Sequence, residues 1–274
     1  MTILVAVKTG AAAIIAADSK VSTSAVVGKN PDGSPRWVPQ TYDHAVKLTK
    51  DASGTAIAAF AGNGNIGEQN AADYFSRVVA DLHCEPDDQD ARVQSIAKAM
   101  SQARIDVAAR LGVAIAQLPE TVVLLAAAPK NGIAPRFWRL ELKADDAKID
   151  EILQAAGVWF EGNADIAFAL MYGALPAFEE GLRSVLGVDP TEFQAARSDS
   201  LDKCPIQQIN FWTMPVQDAI NFSAFVANAQ VEMDKFRPGT AVCGGPIDLM
   251  ILEMAPMPTI RSFPGKSLHH PATK

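Results

Sequence analysis

Thr2 and Asp18 are the residues near the start of the chain whose types could do chemistry together. Removal of Met1 would leave Thr2 with a hydroxyl and a free α-amine on one residue. A hydroxyl is a weak nucleophile until a base takes its proton, and an amine can be that base. Asp18 adds a carboxylate sixteen positions later. A hydroxyl, a potential free amine and a carboxylate therefore stand close together in the first eighteen residues.

A predicted β-hairpin positions this pair. Apolar runs at 3–7 and 11–17 flank a turn at Thr9-Gly10, a pattern typical of two paired strands with at least one buried face. Thr2 directly precedes the first strand, and Asp18 closes the second. We therefore expect the hairpin to hold the two residues at one end of a sheet.

Composition and charge exclude several classes of function. The 274 residues are 49% hydrophobic and 20% charged, as in soluble globular proteins. A net charge of −7 without a basic cluster argues against nucleic-acid binding. Three scattered cysteines lack metal-ligand spacing, which indicates a reduced setting. We predict a cytoplasmic protein without a signal peptide, membrane partner, metal or cofactor.

The remaining elements predict strands and helices in alternating blocks. We predict strands at 44–48, 55–62, 121–128, 135–142, 152–160 and 247–252, and helices at about 66–82, 91–112, 165–175 and 213–234, the last N-capped by Thr213. This order indicates an α+β protein with two stacked sheets between helical layers. We expect a single domain over residues 1–254, with a proline-rich loop insertion at 28–40 and a C-terminal extension at 255–274.

Four segments resemble the proteasome β-subunits and the bacterial HslV peptidase, which are N-terminal nucleophile (Ntn) hydrolases. These segments are Thr2-Ile3, Ile14–Ser19, Phe60–Gly62 and Val242–Asp248, and they occur in the family's order. The similarity extends over roughly Thr2 to Glu253. On this resemblance the chain is identified as a divergent, bacterial-type member of that family.

The resemblance implies a four-layer αββα sandwich, assembly into homo-oligomeric rings, and a peptide or unfolded-protein substrate. It implies that the Thr2 hydroxyl is the nucleophile and that the α-amine is its base, with an unperturbed pKa of about 7.7–8.0. Asp18 would orient both groups. The backbone N–H of Gly62 would donate to the oxyanion of a tetrahedral intermediate.

The family's lysine beside the nucleophile has two candidate positions here. The best hydrophobic match to the family segment places His44 where the lysine belongs, whereas a count back from Gly62 places Lys47 there. The two residues lie three positions apart, so on one strand they face opposite sides. Only one of them can therefore face Thr2, and the sequence leaves the choice open.

Two other segments depart from the family pattern. The family's Asp-x-x-Ser-Gly-Gly reads Thr240-Ala-Val-Cys243-Gly-Gly, which loses a carboxylate and replaces a hydroxyl by a thiol. The family's Ser-Gly-Gly before the third helix reads Glu161-Gly-Asn163. We expect these changes to weaken the polar network that would hold the terminal amine.

Three functions are consistent with these residues. The first is a proteasome-like threonine hydrolase of peptide or amide bonds with Thr2 as nucleophile. The second is a catalytically inactive, ring-forming structural subunit. The third is an Ntn amidase for small molecules, favoured if the 28–40 insertion and the tail close the site to polypeptides.

Overall fold

The computed structural model describes residues 2–51, 53–62, 65–66, 69–81, 88–129, 132–143, 147–173, 176–193, 195–196, 209–238 and 241–263. They form a mixed α+β fold with antiparallel sheets. The strands are β1 Ile3–Lys8, β2 Ala12–Asp18, β3 Val21–Lys29, β4 Pro35–Tyr42, β5 Leu48–Lys50, β6 Ala56–Gly62, β7 Asn65–Ile66, β8 Gln69–Asn70, β9 Thr121–Ala127, β10 Arg136–Leu142, β11 Ala147–Ile152, β12 Gly157–Gly162, β13 Ile247–Glu253 and β14 Thr259–Phe263. The helices are α1 Ala71–Asp81, α2 Gln89–Leu111, α3 Asp165–Tyr172, α4 Pro176–Leu186 and α5 Val216–Asp234, with a 3₁₀ turn at Ile115–Gln117.

One five-stranded sheet holds the predicted N-terminal hairpin at its centre. Its strand order is β12-β1-β2-β13-β14, and all its pairings are antiparallel. Leu4 pairs with Ala17, so the start of β1 and the end of β2 share one end of the sheet. Every residue of β1 and β2 is buried, which explains why both strands are continuous apolar runs instead of alternating patterns.

The second five-stranded sheet has the order β11-β10-β9-β6-β5. The predicted hairpin of β9 and β10 is confirmed, with Leu140 opposite Val123. Gly62, the last residue of β6, pairs with Thr121, the first residue of β9. This pairing places Gly62 at an end of the second sheet.

Among the described residues, apolar side chains form three clusters. One contains Leu4 and Ile15 from the first sheet together with Leu124 from the second. Another joins α1 and α2 to the second sheet, and the last joins α3 and α5 to the first sheet. The predicted α+β class with antiparallel sheets is therefore confirmed. Within the described residues, no helix is both long and apolar enough to cross a membrane.

Residues 28–40, predicted as a loop insertion, belong largely to a two-stranded ribbon. β3 and β4 pair in antiparallel fashion, with a bulge between Val26 and Gly28. Pro35 and Pro39 lie in β4, although proline disfavours central strands. A two-stranded ribbon leaves one edge of each strand unpaired, and at such an edge a proline removes no required hydrogen bond.

The predicted C-terminal extension is partly structured. β14 pairs with β13, where Leu252 lies opposite Ile260, and it forms the outer strand of the first sheet. Residues 259–263 of the extension therefore complete backbone hydrogen bonds of a buried neighbour. Residues 264–274 lie outside the described part of the chain.

Several predicted boundaries also change. The helix predicted from 66 starts at Ala71, after the short β7 and β8. The strand predicted at 152–160 is two strands, β11 and β12, separated by a turn in which Leu153 has φ +50°. α5 begins at Val216 with Pro215 as its N-cap, and the Thr213 N–H is bonded to the Asn210 side chain instead. In the unassigned 176–205 stretch, α4 occupies 176–186.

Candidate functional site

Asp18 lies at the centre of a buried polar cluster at the N-terminal end of β1. Its Oδ1 accepts hydrogen bonds from the Ile3 N–H at 3.0 Å and from Lys47 Nζ at 2.7 Å. Its Oδ2 accepts from the N–H groups of Gly244 at 3.0 Å and Lys20 at 3.3 Å. The side chain is fully buried. Four donors therefore compensate for the burial of this carboxylate.

Lys47, and not His44, faces Asp18. Its ammonium forms a buried ion pair with the carboxylate, and the residue is 7% exposed. Its carbonyl accepts from the Phe60 N–H at 3.0 Å, which fixes the backbone beside β6. His44 is exposed. The predicted strand at 44–48 starts only at Leu48, so the choice between the two residues is set by contacts with β6 and not by an alternating pattern.

Thr2 is buried next to this ion pair. The residue is 4% exposed, and its carbonyl accepts from the Asn163 N–H at 2.7 Å. Gly162 has φ +83°, and a Cβ there would lie 1.9 Å from the Thr2 carbonyl oxygen. Only glycine fits this close approach. The Thr2–Ile3 peptide is thus held by Asp18 on one side and by the Gly162-Asn163 turn on the other.

Gly62 lies at the exposed end of β6 rather than within the Asp18 cluster. It has φ +80°, and a Cβ there would lie 2.4 Å from the Glu120 carbonyl oxygen. The described contacts of this glycine are with the first residues of β9. Its predicted oxyanion role therefore stays a prediction.

Asp234 binds the backbone of the segment in which the sequence lacks the family's carboxylate. Thr240 lies outside the described residues, but the Asp234 carboxylate, at the end of α5, accepts from the N–H groups of Val242 and Cys243, the latter at 2.8 Å. Asn163 Nδ2 donates to Asp234 at 3.4 Å and contacts Cys243 Sγ at 3.7 Å. In the described residues these contacts form a polar network around Cys243, and the expected weakening of the network around the terminal amine stays a prediction.

Asp234 was not identified from sequence, although a signal exists. It lies three and seven residues after Val231 and Ala227, so it shares their buried face of α5. A carboxylate on the buried face of a helix requires donors. That rule would have selected it.

Cys243 is a poor nucleophile in this setting. Burial raises its pKa to about 12, and the charges of Asp18 and Asp234 act in the same direction. The thiol therefore stays protonated at neutral pH.

Glu161 is held by a partner in the second sheet. Arg139 Nε donates to it at 2.7 Å and Arg139 Nη2 at 3.4 Å. The hydrogen bond to Glu161 is the largest cause that raises the pKa of Arg139, and it outweighs burial, which lowers that pKa. Glu161 thus links the two sheets next to the site.

Taken together, the structure joins Thr2, Asp18 and Lys47, and it adds Asn163 and Asp234. A buried ammonium beside the first residue of β1 can hold negative charge or favour the unprotonated form of a nearby amine. Among the described residues, no group of His, Cys, Asp and Glu side chains could hold a metal ion.

The chain matches no protein-family model and no curated protein. It is similar in structure to the helical assembly of the Anbu complex from Pseudomonas aeruginosa, at 11% identity over 95% of this chain and 85% of that chain, with a TM-score of 0.52. Anbu (ancestral beta-subunit) from Yersinia bercovieri matches at 11% identity over 97% and 88%, with a TM-score of 0.49. An Anbu (Gly-1) mutant from Hyphomicrobium sp. strain MC1 is 12% identical over 92% of this chain and 82% of that chain, with a TM-score of 0.49.

These comparisons overturn the assignment to the proteasome β-subunit and HslV family. No family model supports it, and Anbu proteins are among the structures similar to this chain. The motifs behind the assignment are short runs of alanine, glycine and aspartate, which suit any buried strand that ends at a turn. At 11% identity the Pseudomonas structure shows the fold alone, which this chain shares with the Anbu complex.

Proposed function

We propose that this chain is a subunit of a homo-oligomeric particle built on a proteasome-like fold. The observation that carries the proposal is the exposed apolar stripe of α4. Phe178, Leu182, Val185 and Leu186 recur at helical spacing and are 40–84% exposed. A stripe of this kind is typical of a surface that packs against another chain. The helical assembly of the similar Pseudomonas complex supports the same conclusion.

A four-layer αββα arrangement is part of this proposal. It is supported by the three apolar clusters, of which one joins the two sheets and the other two join each sheet to its helices. We further propose that this arrangement forms one domain that extends to β14.

The assembly is tested by light scattering and negative-stain electron microscopy of the purified protein. We expect a multimer whose size falls when Val185→Asp introduces a charge into the stripe. Ser184→Asp is the matched control, since it adds the same charge to an exposed neighbouring position of α4 outside the stripe. A wild-type monomer, or equal dissociation by both variants, would contradict the proposal.

A second function, hydrolysis of amide bonds at Thr2, is favoured by the buried Asp18–Lys47 pair. The pair is bonded to the Ile3 N–H, one residue from the hydroxyl. The pair is buried beside the Thr2–Ile3 peptide, although burying two charges costs several kcal/mol per ion before their attraction is counted. We take this cost as support for retained chemistry.

The proposed reaction requires removal of Met1. The Thr2 hydroxyl attacks the substrate carbonyl and its proton passes to the α-amine, whose ordinary pKa of about 7.7–8.0 lies near neutral pH. Collapse of the tetrahedral intermediate releases the amine product with that proton, and water then hydrolyses the ester on Thr2. In this proposal Asp18 holds Lys47 in place, and the Gly62 N–H stabilises the oxyanion.

N-terminal sequencing combined with an electrophilic peptide tests this second function. We expect a processed Thr2 that forms an adduct, loss of the adduct in Thr2→Ala and Lys47→Met, and retention in Lys143→Met, a control on an exposed lysine. Intact Met1 with no adduct would refute hydrolysis while leaving the assembly proposal standing. Comparing a peptide substrate with a small amide separates a peptidase from a small-molecule amidase.

A further inference from the structure

The ribbon of β3 and β4 stands apart from both large sheets. Among the described strands these two pair only with each other, and the three apolar clusters include none of the ribbon's described side chains. Val27 and Tyr42 are 54% and 57% exposed. An isolated two-stranded ribbon is only marginally stable in water, and a third strand on its edge stabilises it. The described part of this chain supplies no third strand.

The alternation of hydrogen bonds shows which backbone groups of the ribbon face outward. Near the turn the Asn30 N–H donates to the Ser34 carbonyl at 2.8 Å, so position 34 faces β3. Both backbone groups of a residue in an antiparallel strand point to the same side, and neighbouring residues alternate. The outward positions of β4 are therefore 35, 37, 39 and 41. Ser24 lies opposite Pro39 in the register, so the outward positions of β3 are Ser22, Ser24 and Val26.

The outer edge of β4 is blocked, whereas that of β3 is open. Pro35 and Pro39 occupy two of the outward positions of β4, and proline has no N–H to donate. The outward positions of β3 keep their N–H groups, and residues 21–28 carry no charge. Natural proteins protect edge strands from further pairing with prolines, charges or short length. The first eight residues of β3 have none of these protections.

The other outer strands of the described sheets are protected. β5 is three residues long. β11, β12 and β14 carry charges, which belong to Lys148, Asp150, Glu151, Glu161 and Arg261. Within the part of the chain that the structure describes, β3 is therefore the outer strand whose backbone is best suited to accept a further strand.

We propose that β3 pairs with β3 of a second copy of this chain, in antiparallel orientation about a two-fold axis. The Ser24 residues of the two copies lie opposite each other, and each Ser22 lies opposite a Val26. Two identical edges in this orientation are self-complementary, since the outward N–H and C=O groups of one strand meet those of the other. The uncharged run at 21–28 places no like charges opposite each other along the pairing.

This pairing rests on the homo-oligomer proposed above and adds a contact surface separate from α4. One isologous surface closes a dimer, so a particle larger than a dimer needs a further surface on each chain. Pairing of the two ribbons gives a four-stranded sheet, with the blocked β4 strands at its outer edges. Further growth of that sheet is thereby prevented.

Charge-swapped variants tested by analytical ultracentrifugation distinguish a second copy from any other partner. Ser24→Lys places two ammonium groups opposite each other and should weaken self-association by about tenfold or more. Ser24→Glu alone should have the same effect, whereas an equimolar mixture of the two variants should recover association. Thr41→Lys and Thr41→Glu change an outward position of β4 and are the matched controls, which should associate like wild type.

The same measurements in the Val185→Asp background separate this pairing from the α4 contact. We expect a dimer in that background, which becomes a monomer on adding Ser24→Lys. A Val185→Asp monomer, a dimer that persists with Ser24→Lys, or a mixture without recovery would overturn the ribbon pairing and leave assembly through α4 standing. Unchanged assembly of Val185→Asp with loss in Ser24→Lys would instead overturn the α4 contact and support the ribbon pairing.

Backbone hydrogen exchange of the wild-type protein gives a readout that needs no variant. The outward N–H groups of Ser22 and Val26 should exchange slowly at high protein concentration and rapidly after dilution to the monomer. The outward N–H of Thr41 should exchange rapidly at both concentrations. Rapid exchange at Ser22 and Val26 in the assembled protein, or slow exchange that persists in the monomer, would overturn the pairing.

Discussion

Replacement of Lys47 by methionine tests whether the Asp18–Lys47 pair is the structural centre of the site. The variant keeps most of the apolar stem but leaves a fully buried carboxylate without its cation. Breaking a buried ion pair by removing one partner costs about 3–5 kcal/mol. Three backbone N–H groups still donate to Asp18, so we expect the lower end, about 3 kcal/mol.

Urea unfolding at neutral pH measures this loss of unfolding free energy. Lys143→Met is the control, because its ammonium lies 2.6 Å from Glu141, as close as Lys47 lies to Asp18, but the side chain is 63% exposed. We expect that control to be indistinguishable from wild type, since exposed pairs are solvated in both states. The double variant Lys47→Met/Asp18→Asn should recover part of the loss, because no buried charge is left unpaired. Equal effects of the Lys47 and Lys143 variants would refute the reasoning.

Three further changes test other parts of the structure. Gly162→Ala should destabilise the fold by about 2–3 kcal/mol in the same unfolding assay, because this position has a positive φ and the new Cβ would clash with the Thr2 carbonyl. Gly181→Ala in α4 has open space around it and should be neutral or stabilising. The pKa of Cys243 is raised to about 12, so this thiol should resist iodoacetamide at pH 8 in a Cys84→Ser/Cys204→Ser background and should react once the protein is unfolded. Mass spectrometry measures the alkylation, and alkylation of the folded protein would contradict this prediction. Although burial raises the pKa of Asp51, hydrogen bonds from Ser53, Arg92, Ala56 and Thr55 lower it overall. The contribution of Asp51 to folding stability is therefore complete above the unfolded pKa of about 3.9, and it is lost as pH falls through the lower folded pKa. Asp51→Asn should flatten the acid limb of a curve of stability against pH.

The end of α2 shows how far local patterns determine this fold. Apolar residues at helical spacing predict the helix, and Gly112 predicts where it stops. The structure places Gly112 at φ +67°, with its N–H bonded to the Ala108 and Ala109 carbonyls. The hairpin of β1 and β2 was equally predictable, since two apolar runs around Thr9-Gly10 admit few other arrangements.

Partners distant in sequence were less predictable. The sequence shows that Glu161 departs from a motif, but it does not show the ion pair with Arg139. That pair depends on how the sheet that contains β12 packs on the sheet that contains β10. Likewise Pro35 and Pro39 argued for a loop, and only the isolation of β3 and β4 as a two-stranded ribbon makes strands acceptable there.

The sequence by itself determined that Thr2 and Asp18 lie at one end of a buried hairpin, because strand polarity and turn position are local properties. Tertiary structure alone decided that Lys47, and not His44, completes the cluster, and which backbone N–H groups donate to the Asp234 carboxylate. These contacts join residues 29 and 9 positions apart across separate elements. Their geometry depends on sheet stacking and helix packing, which no short-range pattern encodes.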